Sequence, residues 1–271
     1  MALSYREMEK VLMDELRLYH HPIAVTWLFT DDDVENCKKK TPHVEPVKPL
    51  TYCQWEIAAR MQGKTVLGTP ETLGCSNAKV SFGWKEIDDN EIKSQIKYCV
   101  DLAQAERFLR SKPSLPMHSV KAIAVGPLGD AVVAPHVIHF YCDNMQSYHL
   151  AIDYMAAMDV HPLRPQVTMS SPACGGTVFT SQEKTLNMCP ACSGSYNAGK
   201  TERGEVNVFI PAEHLEPTVN RLLDRIGKCG GSSITKPGDP FPGGDICKNC
   251  PLIIFKKGDS GEQDCAACGK S

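Results

Sequence analysis

The chain has 271 residues, of which 42% are hydrophobic, and carries 29 basic and 32 acidic side chains for a net charge of −3. This length and composition are typical of a globular protein with one large core or two smaller ones. The near-neutral charge argues against nucleic acid or an anionic membrane as a partner. The charged first twenty residues lack a signal-peptide core, and no apolar run approaches the ~20 residues of a membrane span, so a cytoplasmic protein is predicted.

Thirteen cysteines are the unusual feature of this composition. The cytoplasm keeps thiols reduced, and an odd number of cysteines cannot be paired completely within one chain. Many cysteines in a cytoplasmic chain therefore indicate metal binding, with iron–sulfur and zinc as the leading candidates. The sequence has no P-loop, G-x-S-x-G or H-E-x-x-H motif, so kinase and hydrolase functions have no support.

Hydrophobic periodicity and cap residues predict the elements of the first half of the chain. In order they are a helix over 5–19, a strand over 23–29, a polar surface loop over 31–49, a helix over 52–61, a strand over 64–67 and a helix over 89–110. Ser4 and Glu7 form a capping box for the first helix. Cys37 is expected to be an exposed free thiol in the polar loop, and Cys99 a buried thiol in the apolar stripe of the last helix.

The second half continues the mixture of helices and strands. The predicted elements are strands over 121–125, 136–141 and 205–210, a helix capped by Asp143 and a helix opened by Pro211. This predicts an α/β or α+β core domain over 1–229, with a mixed sheet and flanking helices. The Gly/Pro-rich residues 230–244 are predicted to be a linker, and 245–271 a separate four-cysteine metal-binding module. His136 and His139, three apart in a strand, face opposite sides, so a shared metal is not expected.

The stretch from Ser170 to Gly194 carries Cys174, Cys189 and Cys192 among glycine, proline and small polar residues. Structural cysteines usually lie among Val, Leu and Ile neighbours, and these do not. The glycines after Cys174 leave room for bare backbone N–H groups near sulfur. This pattern favours thiolates that bind metal or carry redox chemistry.

The carboxyl-terminal tail has the sharpest spacing signal. Cys247 and Cys250 form one C-x2-C pair, and Cys265 and Cys268 form a second pair after fourteen intervening residues. Two such pairs match a zinc ribbon, and a segment this small and polar needs a metal to become ordered. Cys268 before a glycine favours a zinc knuckle, whereas Cys250 before a proline favours a cluster ligand. A metal is expected here, with zinc, iron and an iron–sulfur cluster all open.

Six segments occur in an order that resembles a known family. They are Y-C-Q-W-E-I-A-A-R-M-Q-G-K-T-V, T-P-E-T-L-G-C-S-N-A, H-V-I-H-F-Y-C-D-N-M-Q-S-Y-H-L-A, P-A-C-G-G-T-V, C-S-G-S-Y-N-A-G and G-E-V-N-V-F-I-P. Over roughly Leu18 to Gly227 the chain resembles the uncharacterised prokaryotic family of domain of unknown function 169, which is abundant in anaerobes. The resemblance implies that Cys53, Cys75, Cys174 and Cys192 are the recurring cysteines, with Cys189 an addition. It favours a redox or cluster-bearing protein over a disulfide scaffold.

The resulting hypothesis for the core is a [4Fe–4S] cluster bound by Cys53, Cys75, Cys174 and Cys192, with Cys189 as a catalytic thiol close by. Four thiolates gathered without a metal would repel each other, and a cluster removes that repulsion by taking all four as ligands. The alternative reading, in which two or three of these cysteines are small core residues, stays open.

The predicted function is a redox enzyme that transforms a small molecule and receives electrons through a second metal centre in the tail. The alternatives are an electron-transfer or cluster-carrier protein that serves a partner protein, and a zinc-ribbon interaction protein with structural core cysteines. A homo-oligomer is also left open.

Overall fold

A computed structural model describes residues 2–168 and 170–229 of the chain. The predicted linker over 230–244 and the module over 245–271 lie outside the described residues. Metal binding by the four tail cysteines, Cys247, Cys250, Cys265 and Cys268, therefore stays a prediction. Within the described part, no helix combines the length and the apolar character that crossing a membrane requires.

Helices and strands both contribute to the described fold. The helices are α1 Tyr5–Glu15, α2 Asp31–Lys40, α3 Tyr52–Gln62, α4 Ser76–Ser81, α5 Asp89–Gln95, α6 Leu102–Ser111, α7 Asn144–Met158, α8 Pro172–Glu183, α9 Ser193–Asn197 and α10 Ala212–Cys229. The strands are β1 Ile23–Leu28, β2 Val66–Gly68, β3 Ala122–Pro127, β4 Val137–Cys142, β5 Asn187–Pro190 and β6 Val206–Pro211. Two 3-10 turns span Ile96–Tyr98 and Leu128–Asp130.

The six strands form one sheet in the order β2-β3-β1-β4-β6-β5. Every strand pairing in it is antiparallel, so the protein is α+β and the sheet is not the mixed one predicted. All residues of β1, β3 and β4 are buried. Because successive side chains of a strand point to opposite faces, both faces of the central strands are covered.

The main hydrophobic cluster described here is formed by residues of the sheet and of α3, α4 and α8. Aromatic rings dominate it: the Tyr52 ring packs edge-on against Phe82 with centroids 5.0 Å apart. The same cluster contains Cys174 and Cys189, and the half-buried Cys53 packs at its edge. The segments that carry Cys53, Cys174 and Cys189 therefore pack in or against this hydrophobic cluster.

The predicted loop over 31–49 is wrong in its first part, because residues 31–40 form α2. Thr30 caps the helix with a capping box, and the first turn is acidic while the last turn is basic, which complements the helix dipole. Cys37 points inward from α2 and is 1% exposed, packing in a small cluster with Leu28 and Leu67. The expectation of an exposed Cys37 is therefore also wrong.

The predicted helix over 89–110 is divided into α5, a 3-10 turn and α6. Asp101 ends the continuity because its side chain caps α6, accepting a hydrogen bond from the backbone N–H of Gln104. Cys99 lies in the extended link before this cap and is partly exposed, so it is not the buried thiol that was predicted. The division places residues 94–98 beside the cavity described below.

Other local predictions are confirmed. The Ser4–Glu7 capping box opens α1, which ends at Glu15 rather than near residue 19. Asp143 caps α7 through the backbone N–H groups of Met145 and Gln146. These signals act within one helical turn, so they do not depend on the rest of the fold.

Candidate functional site: a cysteine-lined cavity

A cavity of about 310 Å³ opens beside the main hydrophobic cluster. Four cysteines from four separate segments line it: Cys53, Cys75, Cys174 and Cys192. These are the four residues predicted to share one site. The fold therefore brings their side chains to one space.

Each of these cysteines lies where a helix begins. Cys53 is the second residue of α3 and Cys174 the third residue of α8, while Cys75 and Cys192 are the N-cap residues of the short helices α4 and α9. The first backbone N–H groups of a helix have no partner within the helix. The Cys192 sulfur accepts a hydrogen bond from one of them, the N–H of Ser195, at 3.2 Å. Such N–H groups stabilise a thiolate.

Two glycines follow Cys174 in α8, and only the second of them is in close contact with the sheet. A Cβ atom at Gly176 would overlap the ring of Phe209 on β6, so only glycine lets α8 lie this close to the sheet. A Cβ at Gly175 would meet nothing nearer than the Thr168 side chain at 3.8 Å. The position of Cys174 therefore depends on the close approach at Gly176.

The two glycines give a matched pair of substitutions. We expect Gly176→Ala to lower the free energy of unfolding by about 1–3 kcal/mol, because the added methyl group overpacks the interface with Phe209. Gly175→Ala is expected to raise it by about 0.5–1 kcal/mol, because alanine favours the helix and the site has room. Urea titration followed by circular dichroism measures both. Equal effects of the two substitutions would contradict this account of α8 packing.

The cavity has a positive charge balance. Lys97 and Lys200 line it, and no carboxylate is among its lining residues. Lys112 lies beside it, 4% exposed, and its Nζ donates a hydrogen bond to the backbone carbonyl of Asn77 at 2.9 Å. Across the described residues, none of these three lysines makes an ion pair with a carboxylate. Burial lowers the pKa of Lys112, and nearby Cys174 acts against that shift.

Burial disfavours the thiolate form of two cysteines of the site. Burial raises the pKa of Cys174 to about 11, although the Lys112 ammonium acts in the opposite direction. Burial also raises the pKa of Cys53 well above its ordinary value, and the carboxylate of Glu56 adds to this. A metal that binds here has to displace these protons, so metal uptake would release protons and depend on pH.

Cys189, the predicted catalytic thiol, lies behind the cavity wall. It is in β5, is 3% exposed, and its sulfur is 3.8 Å from the backbone carbonyl of Pro172 at the start of α8. It is not among the cavity-lining residues. Burial, together with the neighbouring Cys174 and Cys192, raises the pKa of Cys189 to about 12. Its catalytic role stays a prediction, and in this position it is a neutral thiol next to the cysteine set.

A buried polar network adjoins Cys53, and sequence reasoning missed it. Glu56, one turn along α3, is fully buried, with Oε1 2.6 Å from Nδ1 of His139 and Oε2 accepting a hydrogen bond from the Tyr141 hydroxyl at 2.7 Å. The other ring nitrogen of His139 lies 3.0 Å from the side-chain oxygen of Asn207. His136 immediately precedes β4, and its ring Nδ1 accepts a hydrogen bond from the backbone N–H of Trp27.

The non-cysteine residues of the cavity were missed as well. Ser94, Gln95, Lys97 and Tyr98 come from the segment predicted to lie inside a continuous helix. Throughout residues 2–168 and 170–229, no three or more His, Cys, Asp or Glu side chains are placed to hold a metal ion. The four cysteines border one cavity and are not gathered at one point.

Together the fold and the site define an α+β protein with a cysteine-lined cavity. The chain belongs to the DUF169 family, described as "Uncharacterised ArCR", whose match spans residues 11–221. This confirms the resemblance found in the sequence, and the matched range includes every residue that lines the cavity. No curated protein and no solved structure matches the chain.

Proposed function

We propose that this chain is a cytosolic iron–sulfur protein that transforms a small molecule by redox chemistry. In this proposal the core cavity holds a [4Fe–4S] cluster on Cys53, Cys75, Cys174 and Cys192. The observation that carries the proposal is the meeting of these four cysteines, from four separate segments, around one cavity.

The donor chemistry of the cavity fits such a cluster. A [4Fe–4S] cluster takes four cysteine thiolates, one at each iron, so its ligands surround a volume instead of a point. All four cavity cysteines are free thiols. The N–H groups at the helix starts and the nearby lysines provide a positive environment for an anionic group. Four cysteines with only a structural role would be neutral thiols, and neutral thiols do not need a positive environment.

The chain's own residues would hold the cluster and keep bulk water from its inner side. The Ser195 N–H stabilises negative charge on the Cys192 sulfur, and the Lys112 ammonium does so near Cys174. The aromatic cluster around Tyr52 keeps the inner wall dry. When bound, a cluster would supply one-electron transfer.

The polar residues of the cavity favour an enzyme over a pure electron carrier. An electron carrier needs its cluster held and shielded, whereas the lining of this cavity also includes the polar residues Gln95, Asn77 and Ser170. Ligand pockets combine an apolar lining with a few convergent polar groups, and about 310 Å³ lies within their usual range of volumes. A carrier or cluster-delivery protein is the second candidate.

Chemical analysis of iron, zinc and acid-labile sulfide per chain tests the proposal on protein made and purified without oxygen. We expect about four irons and equal sulfide from the core, or about eight if the tail also binds a cluster. A full-length variant with Cys247→Ala and Cys250→Ala, called the tail variant below, removes two tail cysteines, so it should retain only the core's iron, about four per chain. About one zinc without sulfide in the unmodified chain would contradict the proposal and favour the zinc-ribbon alternative.

A further inference from the structure

We infer that the cavity binds a small organic anion that also carries a hydroxyl or amino hydrogen-bond donor. This deepens the proposed function, on which it rests, because it names the substrate class of the same cavity. Two independent features of the described residues support it: lysines without carboxylate partners, and buried polar atoms without hydrogen-bond partners.

The first feature is that the lysines lining the cavity have no carboxylate partner among the described residues. Away from the cavity, the largely buried Arg225 has a carboxylate partner: its Nη2 is 2.7 Å from Asp153 Oδ2. At the cavity, the Lys200 Nζ donates to the neutral hydroxyl of Thr51 at 3.0 Å, and the Lys97 Nζ lies 5.0 Å from the centre of the neighbouring Tyr98 ring. A cavity with two such lysines and no carboxylate attracts an anion.

A bound cluster would account for only part of this positive charge. Lys112 lies close enough to Cys174 to lower its pKa, so it is the natural counter-charge for a metal-bound thiolate. Lys97 and Lys200 belong to the polar part of the lining, and Lys97 is exposed. These two lysines are therefore left to neutralise a ligand that enters from solvent.

The second feature is a pair of unsatisfied polar atoms. Ser170 and Gln95 are among the residues that line the cavity, and they are 6% and 1% exposed. Ser170 Oγ and Gln95 Oε1 are buried and have no hydrogen-bond partner among the described residues. The Gln95 amide is oriented by its Nε2, which donates to Ser94 Oγ at 2.7 Å and Asn77 Oδ1 at 3.3 Å. An unsatisfied buried polar atom is unfavourable, so a ligand that supplies a hydrogen bond to either of these two atoms would be stabilised.

These atoms specify the ligand's chemistry. Gln95 Oε1 can only accept, so its partner must donate an O–H or N–H, while the lysines require an anionic group. An organic acid with a hydroxyl or amino group satisfies both. A simple carboxylate lacks the donor, and a neutral amide lacks the charge.

Three probes of similar size separate the two requirements: lactate, propionate, which lacks the hydroxyl, and lactamide, which lacks the charge. Isothermal titration calorimetry on the full-length chain purified without oxygen measures their affinities. We expect lactate to bind about tenfold or more tightly than either of the other two. Equal binding of lactamide and lactate, or no binding by any probe, would overturn the inference.

Variants assign the effect to residues. Lys200→Gln is expected to weaken lactate binding about tenfold, whereas Lys93→Gln, which removes an exposed lysine of α5 outside the lining, should leave it unchanged. Gln95→Leu should abolish the preference for lactate over propionate and keep the preference over lactamide. Equal effects of Lys200→Gln and Lys93→Gln would count against a site at the cavity.

Iron and sulfide measured on the same samples keep the two proposals separate. Normal iron content without charge-dependent binding contradicts the substrate class alone. Charge-dependent binding that requires Lys200, in protein without iron, contradicts the cluster and leaves the anion site standing.

Discussion

Cys174→Ala, introduced into the tail variant, is expected to remove most of the iron and sulfide from protein purified without oxygen. Cys174 is held in the first turn of α8, where it lines the cavity and also belongs to the main hydrophobic cluster. Loss of a residue that supports a metal ligand from outside typically lowers metal affinity about 10–100-fold, so loss of a ligand should exceed about 100-fold. Alanine is chosen because a serine oxygen can still coordinate iron.

The matched control is Cys37→Ala in the same background. Cys37 is also a buried free thiol, but it belongs to the separate small cluster under α2. It should retain about four irons and equal sulfide per chain and the same visible absorption as the tail variant. Similar iron contents in the two variants would show that Cys174 is not a ligand. Far-ultraviolet circular dichroism verifies that both variants are folded.

Glu56→Ala is expected to lower the free energy of unfolding by about 3–5 kcal/mol, the largest stability effect foreseen for this chain. Its carboxylate contacts His139 and Tyr141 in a fully buried site, so truncation leaves both partners without their acceptor and opens a cavity. Urea titration of the tail variant with and without the substitution measures the loss.

Two comparisons test whether the network causes this effect. Asp14→Ala removes an exposed partner of Lys10 and should change stability by no more than about 0.5 kcal/mol. Glu56→Gln retains the shape and an acceptor for Tyr141, so it should lose clearly less than Glu56→Ala. A Glu56→Ala variant as stable as Asp14→Ala would show that the network contributes nothing measurable.

Sequence reasoning worked where the signal is local. The Ser4–Glu7 capping box, the Asp143 cap and the helix that begins beside Cys53 all depend on residues within one turn of each other. It failed where the local signal was weak, or where a second pattern in the same stretch predicted a different structure. Residues 31–40 are almost entirely polar, so their helix rests on capping and charge instead of an apolar stripe. In 89–110 the apolar periodicity concealed the Asp101 cap, which starts a second helix.

For the candidate site, too, one part could be predicted from the sequence and another part could not. The unusual surroundings of Cys174 and Cys192, and the family motifs around Cys53 and Cys75, are readable from the chain, so the four cysteines could be selected without a structure. Their meeting at one cavity could not be derived, because it requires the starts of α3, α4, α8 and α9 to come together around the same space.

The sequence by itself determined which cysteines are unusual and where most helices begin, since these properties reside in short stretches of chain. Tertiary structure alone decided the charge and hydrogen bonding of the cavity. Lys200 donates to Thr51 across 149 residues of chain, and Glu56 contacts His139 across 83. Such pairings depend on how the sheet and helices pack, and neither residue of a pair carries a local mark of its partner.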